Sequence, residues 1–114
     1  MNSDILLYQN PDGNIKIEVR IENETVWFSQ AQLASLFGKD KRSISEHIGN
    51  VFKEGELDKG STVRNFRTVQ TEGTREVERE HDYYNLDVII SVGYRVKSVQ
   101  GTQFRIWATQ RLKE

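Results

Sequence analysis

Between Ser29 and Phe52 the chain reads SQAQLASLFGKDKRSISEHIGNVF, two amphipathic stretches hinged on one glycine. Leu33, Leu36 and Phe37 recur at helical spacing before Gly38, and Ile44, Ile48, Val51 and Phe52 do so after it. Ser29 and Gln32 stand in the S-x-x-Q arrangement, in which each side chain satisfies a backbone N–H at the other, so a helix is predicted to open at Ser29. Gly38 ends it in the left-handed conformation that side chains disfavour, and Asp40 caps a second helix at once. Two helices crossing sharply need a small residue at closest approach and a glycine in the turn. Ala34 and Gly38 supply both, which predicts a helix-turn-helix. Any helical hairpin can carry glycine in its turn, so a core helix pair without a ligand is the alternative.

The flanking sequence predicts mixed α and β structure. Ile5 to Tyr8 reads as a short strand, and Asn10-Pro11-Asp12-Gly13 as a turn. From Ile15 to Ile21 apolar residues alternate with Lys16, Glu18 and Arg20, the pattern of a half-buried strand. Asn23-Glu24 turns the chain into Val26-Trp27-Phe28, completing a three-stranded meander. Gly49 costs about 1 kcal/mol relative to alanine in the second helix, whose end is expected to fray. Glu54 to Ser61 reads as a polar loop. Thr62 to His81 holds few apolar residues and turns at Thr71-Glu72-Gly73, so it is expected to be a polar hairpin projecting into solvent. Leu86, Ile89, Ile90, Gly93 and Tyr94 recur at helical spacing, as do Phe104, Trp107, Ala108 and Leu112, giving two closing helices separated near Ser98 to Gly101. The expected fold is α+β: a winged helix-turn-helix core with an amino-terminal antiparallel meander, a hairpin wing and two carboxy-terminal helices. Residues 1–114 are expected to form one domain, the amino-terminal part of a longer protein.

The exposed face of the second helix carries the functional expectation. If its amino-terminal end enters a major groove, Lys41, Arg42, Ser43, Ser45, Glu46 and Asn50 meet the bases. Arg42 can grip guanine through two hydrogen bonds, Asn50 can pair with adenine, and Glu46 can accept from cytosine. Phosphates are expected to meet Lys39, the Ser29–Gln30 helix end, and the wing residues Arg64, Arg67, Thr68 and Arg75. Against this stand a net charge of −1 and a sequence pI of about 6.1, together with Glu76, Glu78, Glu80 and Asp82 on the returning strand. The acidic strand is expected to point away from the duplex or to bind a partner.

Little else in the sequence supports chemistry. There is no cysteine, hence no disulfide, thiolate nucleophile or cysteine-ligated zinc. His47 and His81 are the only histidines, and His81 and Asp82 point to opposite faces of a strand. No phosphate-binding glycine loop, nucleophile elbow or zincin helix occurs. The chain is expected to be no enzyme, to bind no metal or cofactor, to cross no membrane, and to work in the cytoplasm.

The stretches VWFSQAQLASLFGKDKRSISEHIGNVFKEGEL (Val26 to Leu57) and YYNLDVIISVGYRVKSVQGTQFRIWATQRLKE (Tyr83 to Glu114) resemble the amino-terminal domain of the bacterial RhuM virulence-protein family. The second also resembles the closing helices of Bro-N-type domains of viral and phage proteins. The resemblance implies a bacterial origin, carriage on prophages or mobile islands, and a DNA-binding role. Some relatives carry a Fic-type nucleotidyl-transfer domain, whose H-x-F-x-[DE]-G-N-G-R signature is absent here. The expected partner is double-stranded DNA, with a homodimer and a downstream effector domain as further partners. The competing reading is a protein-interaction or accessory module for that effector.

Overall fold

The computed structural model describes residues 4–113, with all of their side chains except those of Thr68, Gln70 and Lys113. Alternation of apolar and charged residues builds the meander: β1 (Asp4–Gln9), β2 (Lys16–Glu22) and β3 (Thr25–Ser29) pair antiparallel in chain order. Asn23 and Glu24 both take positive φ, 56° and 64°, the primed geometry whose twist matches the strands it joins. One face of these strands, Tyr8, Ile17, Val19, Val26 and Phe28, is buried in the core.

Ser29 closes β3 and caps α1 (Gln30–Phe37), and the reciprocal Ser29–Gln32 box is present. Gly38 ends α1 at φ 63°, and Asp40 caps α2 (Lys41–Lys53) by accepting from the Ser43 N–H at 2.7 Å. Gly49 does not shorten α2, because Ile48 and Val51 on either side of it are buried and hold the helix to the core. The segment expected to be a loop ends in a single helical turn, α3 (Lys59–Thr62). Asp58 caps it, and the Thr62 hydroxyl donates to the Asp58 carbonyl.

β4 (Val63–Glu72) and β5 (Arg75–Asn85) form the long hairpin, turning at Gly73–Thr74, so that Thr71 and Glu72 of the expected turn lie at the end of β4. Gly73 takes φ 64°, which fixes the turn there. The hairpin is not a free projection along its whole length, for Tyr83, Tyr84 and Asn85 pair with Ser29, Phe28 and Trp27 and make one five-stranded sheet of order β1-β2-β3-β5-β4. An aromatic cluster on the sheet face away from the helices secures this junction. Phe66 packs edge-on to Trp27 and Tyr83, with Arg20 4.4 Å above the Phe66 ring and Arg64 4.9 Å above Trp27. Beyond it the hairpin extends past the amino-terminal ends of α1 and α2.

α4 (Leu86–Val96) and α5 (Val99–Lys113) complete the helical layer, contributing Val88, Ile89, Val92, Phe104 and Ala108 to the core. Lys97, at φ 53°, separates them, so Gly101, expected in the break, lies inside α5. Tyr94, expected on the apolar stripe, is 75% exposed, because Gly93 beside it is the residue that meets α5.

A charge cluster ties the end of α2 to α4. Arg95 donates to Glu54 at 3.1 Å and to Glu56 at 2.9 Å. A hydrogen bond from Ser91 and the Arg95 guanidinium hold the Glu56 carboxyl below its ordinary value of 4.5. A lowered folded-state pKa contributes stability that is complete above the ordinary value and disappears as pH falls through the lowered one. Thermal melts should therefore show Glu56→Gln less stable than wild type near neutrality, with the difference closing below about pH 4.5. A difference independent of pH would exclude this contact as its source.

Candidate nucleic-acid interface

The outer face of α2 is a polar surface left free by the way its inner face is used. Ile44, Ile48 and Val51 are buried, so the helical period turns Lys41, Arg42, Ser45, Glu46 and Asn50 into solvent. Ser43 is half-buried, and its N–H is already taken by Asp40. Arg42 and Glu46 approach to 3.8 Å with side chains 90% and 69% exposed. An exposed i,i+4 pair contributes only about 0.3–0.5 kcal/mol, too little to hold either side chain from a ligand.

The phosphate candidates are not equally available. Lys39 is exposed beside Gly38. Ser29 gives its N–H to Gln32 Oε1 and accepts the Gln32 N–H at its hydroxyl. Gln30 donates its side-chain amide to the Lys41 carbonyl at 2.7 Å, fastening the starts of α1 and α2 together. These two residues thus set the angle between the helices, and what α1 offers outward is its amino-terminal dipole.

Strand register divides the hairpin into two faces of opposite character. Phe28 is core-facing and pairs with Tyr84, so Tyr84, Asp82, Glu80, Glu78 and Glu76 all lie on the helix side, with Asn65 and Arg67 opposite Asp82 and Glu80. Arg67 is spent there on Glu80 at 2.9 Å. On the outer face lie Arg64, Arg75, Arg79 and His81, opposed by Glu72. Arg64 is held by Glu22 at 3.4 Å and Arg79 pairs with Glu72, whereas Arg75, near the tip, makes no ion pair among the described residues. Thr68 lies on the outer face by register, but its side chain is outside the described ones.

The hairpin's helix side and the helix ends enclose a groove lined by Ser29, Gln30 and Lys41 on one wall and Glu80, Asp82 and Tyr84 on the other. Burial, then the Asp82 charge, push the Tyr84 hydroxyl above its ordinary pKa. The groove is mixed in sign, with Lys41 on one wall and Glu80 and Asp82 on the other. Period two could have shown this in the sequence: Arg64 and Arg67 differ by an odd number of positions, so they cannot share a face. Among the described residues no group of three or more His, Asp or Glu is placed to hold a metal ion, and no helix is long and apolar enough to cross a membrane.

These features define an α+β protein in which an antiparallel sheet carries a helical layer on one face, with the polar outer side of α2 exposed. Residues 61–114 match the model of the Virulence protein RhuM family. The match takes in β4, β5, α4 and α5, while the resembling stretch Val26 to Leu57 lies outside it. Neither curated proteins nor solved structures return a match.

Proposed function

We propose that this chain is a sequence-reading double-stranded DNA-binding domain of winged helix-turn-helix type, a transcriptional regulator of bacterial, mobile-element or virulence origin. The observation that carries the reading is the outer face of α2, where Lys41, Arg42, Ser45, Glu46 and Asn50 stand exposed. Arg42, Glu46 and Asn50 are base readers by their donor and acceptor patterns. Lys39 and Lys41 flank them as phosphate contacts. The domain itself performs no chemistry.

The hairpin's polarity sets the direction of approach. A duplex lying in the groove would meet Glu80 and Asp82, so the duplex engages α2 from the side turned away from the hairpin. Anisotropy titrations of mixed-sequence and selected duplexes at two salt concentrations test the reading, because each neutralised phosphate adds about −0.9 to the slope of log affinity against log salt. Binding that is absent, or indifferent to salt, rejects it. On this approach Glu80→Gln/Asp82→Asn leaves base preference unchanged and raises duplex affinity only modestly, by relieving the field on Lys41 across the groove. A large gain in affinity would instead place the duplex in the groove.

A further inference from the structure

We infer that β1 is a self-pairing edge, through which two copies of this chain join their sheets into one continuous antiparallel sheet. β1 is the terminal strand of the sheet. Asn10 donates its N–H to the Ile15 carbonyl at 3.1 Å, and the β1–β2 register continues without a break from Gln9↔Lys16 to Asp4↔Ile21. Antiparallel alternation then directs the even-numbered residues' N–H and C=O groups at β2 and those of Ile5, Leu7 and Gln9 outward. The strand is also apolar where an open edge is ordinarily protected by charge, proline or a bulge. Ile5, Leu6 and Leu7 are 53%, 36% and 60% exposed. Asp4 is the only charged residue of β1, whereas the opposite edge, β4, carries Arg64, Arg67 and Glu72.

The sequence of this edge fits a copy of itself. A two-fold axis normal to the sheet through Leu6 places Ile5 opposite Leu7 twice, each pair exchanging two main-chain hydrogen bonds, and Leu6 opposite Leu6 between them. Asp4 then meets Tyr8, so no like charges oppose. All three exposed apolar side chains find apolar partners, a match that a one-residue slip destroys by turning each onto the other face. The same axis leaves both helical layers on one face of the joined sheet.

Sedimentation velocity over a concentration series should show a reversible dimer. Leu7→Lys, at an exposed position, should weaken association at least roughly tenfold without lowering the melting temperature. Because the chain has no cysteine, Leu6→Cys introduces a single thiol that faces its own mate in a non-hydrogen-bonded pair about 4.5 Å apart, close enough for a disulfide. Mild oxidation should cross-link Leu6→Cys and leave Val99→Cys, exposed on α5, without a covalent cross-link. A wild-type chain monomeric at every concentration, a dimer indifferent to Leu7→Lys, or cross-linking no better at position 6 than at 99 would each overturn the inference. Loss of DNA binding alone would not touch it.

Discussion

Arg42→Ala is expected to weaken binding to a selected duplex by roughly 1–3 kcal/mol and to relax preference at one base pair, while the fold stays as stable as before. Both halves follow from geometry. Its side chain is 90% exposed and its one described partner, Glu46, lies 3.8 Å away in solvent, so its removal leaves no hole and no buried charge. Lys39→Ala and Lys41→Ala are expected to behave differently. They remove phosphate contacts, so affinity for all sequences falls alike and the salt slope shrinks by about 0.9 for each. Fluorescence anisotropy on a selected duplex and on single-base variants of it separates the two patterns. If Arg42→Ala weakens every duplex equally, the side chain is a phosphate contact and base readout belongs to Glu46 and Asn50. If it changes nothing, α2 does not enter the groove by this face.

The reading order of these residues also shows what the sequence made legible. The capping box at Ser29, the glycine turn at Gly38 and the Asp40 cap are local devices, in which a side chain bonds a backbone group three residues away or a single residue takes an unusual φ. Such features need nothing from the rest of the chain, and their pattern is visible in a short window. The meander is legible for the same reason, because period two and an Asn-Glu turn determine it from neighbouring residues. The hairpin is different. Whether Arg67 faces a duplex or Glu80 depends on which residue of β5 sits opposite it and on which face of β3 is buried, and those are set by Phe28 meeting Tyr84 across 56 positions of chain. Composition could show that the hairpin was both basic and acidic. Only the register separates the basic face from the acidic one.

Gly101 shows the same limit from the side of packing. In the sequence a glycine near two helix ends reads as a breaker, yet α5 runs through it. Its small size serves a meeting of three helices. A Cβ on Gly101 would lie 3.0 Å from Phe37 Cε1 and 3.3 Å from the Gly93 Cα, so α4 and α5 approach by way of two glycines with the Phe37 ring of α1 against them. No periodicity within α4 or α5 reveals that a residue of α1, more than fifty positions earlier, occupies this crossing.

Phe37→Ala is expected to cost about 3–5 kcal/mol, the usual range for deleting a buried aromatic ring whose neighbours collapse only partly. That is a large share of the total stability of a domain this size, commonly about 5–15 kcal/mol. The two glycines sharpen the expectation. Alanine gains up to about 1 kcal/mol of helix propensity over glycine. At Gly93 the added methyl would sit 3.4 Å from the Phe37 ring, an ordinary contact with a side chain, so Gly93→Ala should be neutral or slightly stabilising. At Gly101 the methyl presses on backbone as well as ring, and overpacking of about 1–3 kcal/mol outweighs the propensity gain. Combining Phe37→Ala with Gly101→Ala should cost less than the sum, since the methyl enters the space the ring has left. Urea denaturation of the four variants measures each term. An additive pair, or Gly93→Ala and Gly101→Ala equally tolerated, would mean that the helices do not meet at this point. Because Phe37 is the last residue of α1 before Gly38, the same loss frees the turn that orients α2. Phe37→Ala should then bind duplex DNA more weakly even well below its melting temperature, although no atom of Phe37 lies on the exposed face of α2.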